Sequence, residues 1–244
     1  MSAIADVLFP RTCALCATTN PESGETLCDG CLCSVDKARQ TEFCRRCGAT
    51  VGPYGGTAEG CPACSRYTVP LAGITRVGEF SGDLAELLRA FKFRGADHLD
   101  RYHGDLLGRV IREASWFGEL DVLTAVPTCW QHRLTRRSHA ASALAPYAAR
   151  HAGLPLLGLL RRVRGGPHQV GLAKTARIEN VKGKFTAARG LAMRDAVVCL
   201  MDDVMTTGAT LYECARVLKR AGAAKVYAAV VAHAGGLPRT VRDA

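Results

Sequence analysis

Aromatic side chains make up only 6% of this 244-residue chain, and they do not interleave with its arginine clusters. That scarcity argues against a protein built only to hold single-stranded nucleic acid, which needs stacking platforms for the bases. Long apolar runs are missing as well. Stretches such as 196–201 and 226–232 fall far short of the roughly 20 residues a bilayer span requires, so no membrane insertion is expected. The opening Met1 to Pro10, with Asp6 inside it, is too short and too acidic for an export signal, and a cytoplasmic, reducing location is expected. Beyond residue 64 cysteine nearly disappears: Cys129, Cys199 and Cys214 each stand alone among apolar or helical neighbours, where a small buried side chain is expected.

The other nine cysteines crowd between Cys13 and Cys64, and eight of them form four Cys-x-x-Cys pairs, with Cys33 left over. Cys13/Cys16 and Cys28/Cys31 are separated by eleven residues, Cys44/Cys47 and Cys61/Cys64 by thirteen. One Cys-x-x-Cys turn presents two sulfurs to an ion, and two such turns complete a tetrahedral thiolate site. Disulfides are disfavoured in a reducing compartment, and a thioredoxin-type pair lacks its βαβ surroundings here. Two structural Zn²⁺ ions are therefore expected, held by all eight paired cysteines with no coordination position left for water. The spacing allows sequential pairing of the turns and a crossed arrangement alike. Apolar content in this segment is too low for a core of its own, so metal must staple it. Residues 1–69 are read as a double zinc-ribbon module and residues 70–244 as a separate α/β domain.

The formal charge of +10 points to an anionic partner, but eight thiolates and two Zn²⁺ add eight negative and four positive charges and bring it to about +6. The excess sits in clusters at Arg133, Arg136 and Arg137, at Arg161, Arg162 and Arg164, and at Lys174, Arg177, Lys182 and Lys184.

Past residue 70 the pattern becomes that of an α/β sheet. Residues 73–80 alternate as a strand, and Leu84, Leu87, Leu88 and Phe91 recur at helical spacing. Further helices are expected over about 99–113 and 140–151, with a buried strand at 121–126 stopped by Pro127. In the last third, a strand at 196–201, a helix at 210–221 closed by Gly222 and a strand at 226–232 make a parallel βαβ unit, with its binding crevice at the carboxyl ends of the strands.

The chemistry concentrates where the first of those strands ends, in Leu200-Met-Asp-Asp-Val-Met-Thr-Thr-Gly-Ala-Thr210. Two adjacent acids at a buried strand tip are costly unless solvated or paired, which marks a site and not a packing feature. In the turn that follows, Gly208 lets the chain approach a ligand closely, Thr206, Thr207 and Thr210 bring hydroxyls, and the amides around Ala209 open a helix whose dipole favours an anion.

This string resembles the PRPP (phosphoribosyl pyrophosphate) motif of type I phosphoribosyltransferases, and the chain as a whole resembles the ComF family of competence-associated proteins. The narrower likeness rests on the four cysteine pairs, Phe91-Lys-Phe-Arg-Gly95, Ala125-Val-Pro127 with arginines after it, and Gln169-x-Gly-Leu172 followed by Arg177, Asn180-Val181, Gly183 and Phe185. It implies an open, mostly parallel sheet of type I phosphoribosyltransferase type behind the zinc module. Asp202 and Asp203 would contact the ribose hydroxyls as the catalytic acids, and Thr206, Thr207, Gly208, Ala209 and Thr210 would hold the 5-phosphate. The implied reaction displaces pyrophosphate from C1 of PRPP by a nitrogen nucleophile, with Mg²⁺ accompanying PRPP. Arg133, Arg136 and Arg137 are the pyrophosphate candidates, Gln169, Arg177 and Asn180 belong to a candidate lid over 169–185, and Lys92 is expected near the site. Where the family carries Arg-Gly-Phe-Asn-Gln, this chain has Arg137-Ser-His-Ala-Ala141. The family name also implies an alternative, a non-catalytic PRPP- or nucleotide-binding accessory protein whose zinc module docks on single-stranded DNA or on a DNA-uptake protein.

Overall fold

The computed structural model describes residues 12–18, 26–52, 55–56, 60–62, 64, 68–93, 99–127, 140–163, 181–190 and 193–235. At its centre lie four strands, β1 (Gly73–Glu79), β2 (Val122–Ala125), β5 (Val197–Met205) and β6 (Lys225–His233), in the order β1-β6-β5-β2. Every neighbouring pair is parallel. A parallel sheet is covered on both faces, so its central strands run as unbroken apolar stretches; Val226 through Ala232 are all buried. A short antiparallel pair, β3 (Leu160–Arg162) and β4 (Phe185–Ala187), lies apart from it.

Strand alternation divides the core in two. Cys199, Met201, Ala229 and Val231 face α2 (Gly82–Phe93), α3 (Leu99–Arg112) and α4 (Ala140–Ala152). Val198, Leu200, Ala228 and Val230 face α5 (Ala209–Arg220), where Leu211, Cys214, Ala215 and Leu218 complete the layer. Leu84, Leu87 and Leu88 of α2 are fully buried, as their spacing predicts, and so are Leu99, Leu107 and Ile111 of α3. Cys199 and Cys214 are buried too, while Cys33 is exposed. Between α3 and α4 the backbones touch: a Cβ on Gly104 would lie 2.6 Å from the Leu144 carbonyl oxygen, and one on Gly108 2.8 Å from that of Ala148. The alanines of α4 make room for this approach, and the helix continues through Pro146.

One boundary differs from the sequence expectation in a way that matters. The strand expected to stop at Met201 runs on to Met205, because its ladder with β6 continues through Asp202↔Val230 to Met205↔His233. The acidic pair is therefore part of the strand, and the turn begins two residues after it.

The cysteine-rich segment lies directly on this sheet. Its helix α1 (Asp29–Arg39) contributes Val35, with Leu27 and Cys13, to the core that holds Val77 and Leu84. Cys44, Cys47, Ala49, Cys61 and Cys64 share the other core with Ile74 and Val230. The amide of Ile74 on β1 donates to the Arg45 carbonyl at 2.8 Å, so the segment covers an edge strand that would otherwise present open hydrogen-bonding groups. At the opposite edge, Leu123 of β2 donates to Pro155 O and accepts from Leu157 N, so the chain after α4 covers that side.

Candidate functional site

Eight cysteines gather into two clusters, Cys13/Cys16/Cys28/Cys31 and Cys44/Cys47/Cys61/Cys64, with all sulfurs of a cluster within 4.8 Å of one another. Neighbouring turns have thus paired sequentially, the question that spacing left open. A tetrahedral thiolate site with Zn–S arms of about 2.3 Å has edges of about 3.8 Å. Observed separations are 3.6 Å for Cys16–Cys28, 3.7 Å for Cys44–Cys64 and for Cys47–Cys61, and 3.9 Å for Cys61–Cys64. These are far longer than a disulfide bond, and the two Cys₄ sets fit Zn²⁺. Turn geometry explains why: Gly48 takes φ +80° and Ala17 φ +58°, folding the chain back after Cys47 and Cys16. The returning amides donate to Cys44 O (Gly48, 2.8 Å) and to Cys13 O (Ala17, 2.9 Å). Cys28 is the N-cap residue of α1, which sets its sulfur at the positive end of the helix dipole. The second cluster is buried throughout, whereas the first keeps Cys16 exposed.

The other candidate centre is at the carboxyl end of β5, where Asp202 and residues 204–211 line a small open concavity of about 40 Å³. Gly208 stands at φ +75° as the N-cap of α5. A Cβ there would meet Met205 Cε at 2.6 Å and the Tyr212 ring at 2.7 Å, so only glycine fits. Thr207 is buried and Thr206 is exposed. The opening amides of α5 have no intrahelical acceptor, as at any helix start; that of Ala209 reaches the Thr207 hydroxyl at a long 3.4 Å.

The two acids are not equivalent. Asp203 continues the row of Cys199 and Met201 and is 8% exposed. Its Oδ2 lies 2.5 Å from the Lys92 ammonium at the last turn of α2, which places Lys92 beside the acidic pair. Asp202 continues the row of Val198 and Leu200 and lines the concavity. Desolvation, and then the adjacent Asp203, push its carboxyl well above the ordinary carboxylate range. Backbone amides hold both groups: Asp203 N donates to Asp202 Oδ1 at 2.9 Å, and Val204 N to Asp203 Oδ1 at 2.8 Å.

Several surrounding groups carried no sequence signal. His103 is wholly buried on α3, with Nδ1 donating to Leu99 O at 2.8 Å. Its ring lies 5.0 Å from that of Phe91, and burial drives its pKa down to about 4. Glu213, buried on α5, accepts from the Gly183 amide at 3.1 Å and so pins the turn that leads into β4. Arg76 on β1 donates to Gly48 O at 2.8 Å and to the Thr50 hydroxyl at 2.9 Å. None of the three belongs to a sequence motif, and only the folded chain shows what each meets. Arg133, Arg136, Arg137, Gln169, Arg177 and Asn180, like Cys129, lie outside the described residues.

A double zinc ribbon set against an open parallel α/β sheet, with a glycine-containing turn at the carboxyl end of a central strand, defines the class of this protein. Residues 4–70 match the model of the double zinc ribbon domain. The chain is 27% identical over 205 residues to Competence protein F of Haemophilus influenzae, covering 82% of this chain and 87% of that one. It is likewise 27% identical over 226 residues to DNA utilization protein YhgH of Salmonella typhi, covering 89% of this chain and 94% of that one. Together these matches support a ComF-family protein.

Among solved structures, the allosteric regulatory enzyme of purine biosynthesis is similar with a TM-score of 0.39 and 24% identity over 55% of this chain. Glutamine PRPP amidotransferase from B. subtilis gives a TM-score of 0.38 and 23% identity over 54%. This chain spans about a quarter of each of those two, 25% and 26%. For the purine phosphoribosyltransferase from Pyrococcus horikoshii the TM-score is 0.36, with 20% identity and coverage of 56% of this chain and 75% of that one. Among the described residues, no helix is long and apolar enough to cross a membrane.

Proposed function

We propose that this chain binds PRPP or a related phosphoribosyl ligand, with the 5-phosphate in the turn Thr206–Thr210 and the ribose beside Asp202 and Asp203. The observation that carries this reading is the turn itself. A residue that must be glycine, three nearby threonines and a helix N-terminus line one concavity with a carboxyl group at its rim. Amides and dipole suit an anion, and hydroxyls on a sugar suit a carboxyl as hydrogen-bond partner.

On this reading the reaction breaks the bond between C1 and the pyrophosphate oxygen and forms one between C1 and a nitrogen nucleophile, which gives up a proton. Positive charge grows on the ribose and negative charge on the leaving group, and fixed groups that meet those charges lower the barrier. Mg²⁺, if it enters with PRPP, would neutralise pyrophosphate. Two carboxylates without a larger acidic cage suit an ion that arrives bound to substrate phosphates. In this assignment residues 1–69 form the zinc-stapled part, residues 70–244 bind the ligand, and the protein works in the cytoplasm. Arg133, Arg136 and Arg137 are the proposed pyrophosphate contacts, and Gln169, Arg177 and Asn180 part of a lid.

A second reading is supported by the names of the relatives, Competence protein F and DNA utilization protein YhgH. Here the chain binds the phosphoribosyl group without turnover and serves DNA uptake through the zinc ribbons, docking on single-stranded DNA or on an uptake protein. Pyrophosphate release from PRPP, measured with a panel of bases and amines, separates the two. Release that Asp202→Ala with Asp203→Ala abolishes supports the transferase, and saturable PRPP binding without release supports the accessory protein.

A further inference from the structure

Two carboxylates next to a phosphate-binding turn raise an electrostatic difficulty. A sugar phosphate arrives with nearly two negative charges, and a doubly ionised acidic pair a few ångströms away would repel it. The surroundings of the pair resolve this asymmetrically. Asp203 turns away from the concavity to the α2 and α3 side, where the Lys92 ammonium is 2.5 Å from Oδ2. Asp202 remains at the concavity beside the turn.

No other cation is within salt-bridge distance of the pair among the described residues. His103, the buried ring on the same side, stays neutral, because burial holds its pKa at about 4 and its Nδ1 proton is committed to Leu99 O. From α5, the Cys214 thiol feels the charges of Asp202, Glu213 and Arg162; Arg216 and Arg220 engage Glu213. Desolvation also favours the uncharged form of the Asp202 carboxyl. Lys92 thus cancels the charge of the one acid that faces away from the ligand.

We propose that Lys92 is a positioning residue for the phosphoribosyl site: by holding Asp203 in an internal ion pair, it leaves the acidic pair with little net charge and lets the turn accept a sugar phosphate without a divalent ion bridging the acids. The two aspartates then have different roles, Asp202 toward the ligand and Asp203 toward Lys92. This rests on the phosphoribosyl reading given above.

The test uses ribose 5-phosphate as probe, titrated calorimetrically into the full chain with chelator present for Mg²⁺ and zinc occupancy verified. Lys92→Met leaves Asp203 unpaired, and affinity falls at least about tenfold, the equivalent of one 1.4 kcal/mol step. Adding Asp203→Asn to Lys92→Met removes the stranded charge, and the double variant binds at least about threefold more tightly than Lys92→Met alone. A merely structural lysine gives no such recovery. Lys92→Arg, which keeps the charge, binds like wild type. Should Lys92→Met alone fail to fold, the milder Lys92→Gln takes its place in the same comparison, and equal affinity with and without Asp203→Asn overturns the proposal. Wild-type affinity in a folded Lys92→Met also overturns it and leaves the phosphoribosyl reading standing. Silence of the wild-type chain toward ribose 5-phosphate sinks that reading and this inference with it.

Discussion

Arg76 of β1 donates from its guanidinium to the carbonyl of Gly48, 2.8 Å away, and so ties the turn after Cys47 to the middle of the sheet's edge strand. The same glycine packs against His233, where a Cβ would come within 3.2 Å of the ring. His233 pairs in register with Met205, the last strand residue before the turn at 206–210. The second thiolate cluster is in this way part of the scaffold that supports the carboxyl end of the sheet.

Zinc removal tests that link. Two zinc ions per chain are expected by metal analysis, one for each cluster. Cys47→Ser in the buried second cluster lowers the thermal midpoint more than Cys16→Ser in the exposed first one, by several degrees at least, given that about 1 kcal/mol corresponds to roughly 2–4 °C in a domain of this size. Equal midpoints for the two variants would count against a load-sharing second cluster.

Gly104 should be nearly as intolerant of substitution as any core residue. Gly104→Ala places a methyl 2.5 Å from Tyr147 Cβ and 2.6 Å from a carbonyl oxygen of α4, so the helices must part. Overpacking of this kind costs about 1–3 kcal/mol, measurable as a lower denaturant midpoint with an unchanged slope. An unchanged midpoint would mean that α3 and α4 do not pack at this distance.

Buried His103 makes stability fall in mild acid. Its folded pKa is about 4 against 6.5 for the exposed side chain, so below pH 6.5 the unfolded chain binds more protons than the native one. Its stabilising contribution is complete above pH 6.5 and is lost progressively as pH drops toward 4. The full span is worth about 3 kcal/mol at most. His233, also held near 4 by burial and by Arg76, acts in the same sense, whereas the raised Asp202 acts in the opposite one. Comparing wild type with His103→Phe across pH 7 to 5 isolates the first term, and the variant's curve should be the flatter. Parallel curves would show that His103 does not titrate as its burial dictates.

Gly208→Ala adds a Cβ at φ +75° that collides with Met205 and Tyr212. A cost of about 1–2 kcal/mol in stability is expected, and with it at least a tenfold loss of ribose 5-phosphate affinity, because the turn must reopen. Unimpaired binding in this variant would place the ligand elsewhere.

Much of this architecture could be read before folding. The 3.6-residue spacing of Leu84, Leu87, Leu88 and Phe91, and the unbroken apolar run from Val226, are local patterns, and each became the expected element. The glycine-containing turn at 206–210 and the two cysteine clusters were legible for the same reason, since short motifs are contained within a few residues. Cysteine pairing was not, because nearly equal spacings suit both arrangements until Gly48 and Ala17 set the direction of the chain. Nor was the length of β5, which is fixed by its ladder with residues nearly thirty positions later. The Lys92–Asp203 bond spans more than a hundred residues, and the lone Arg76 in an apolar strand gave no hint of Gly48. Long-range polar pairs of this kind are created by the fold and have no periodicity to announce them.

Whether the amides of the turn hold a phosphate is open to direct observation by backbone ¹⁵N chemical shifts during titration with ribose 5-phosphate. Resonances of Thr206 through Leu211 should move together, with one shared affinity, while those at the opposite ends of the strands, near Glu119 and Lys225, stay still. Shifts that spare the turn, or that gather on the zinc ribbons instead, would contradict the account.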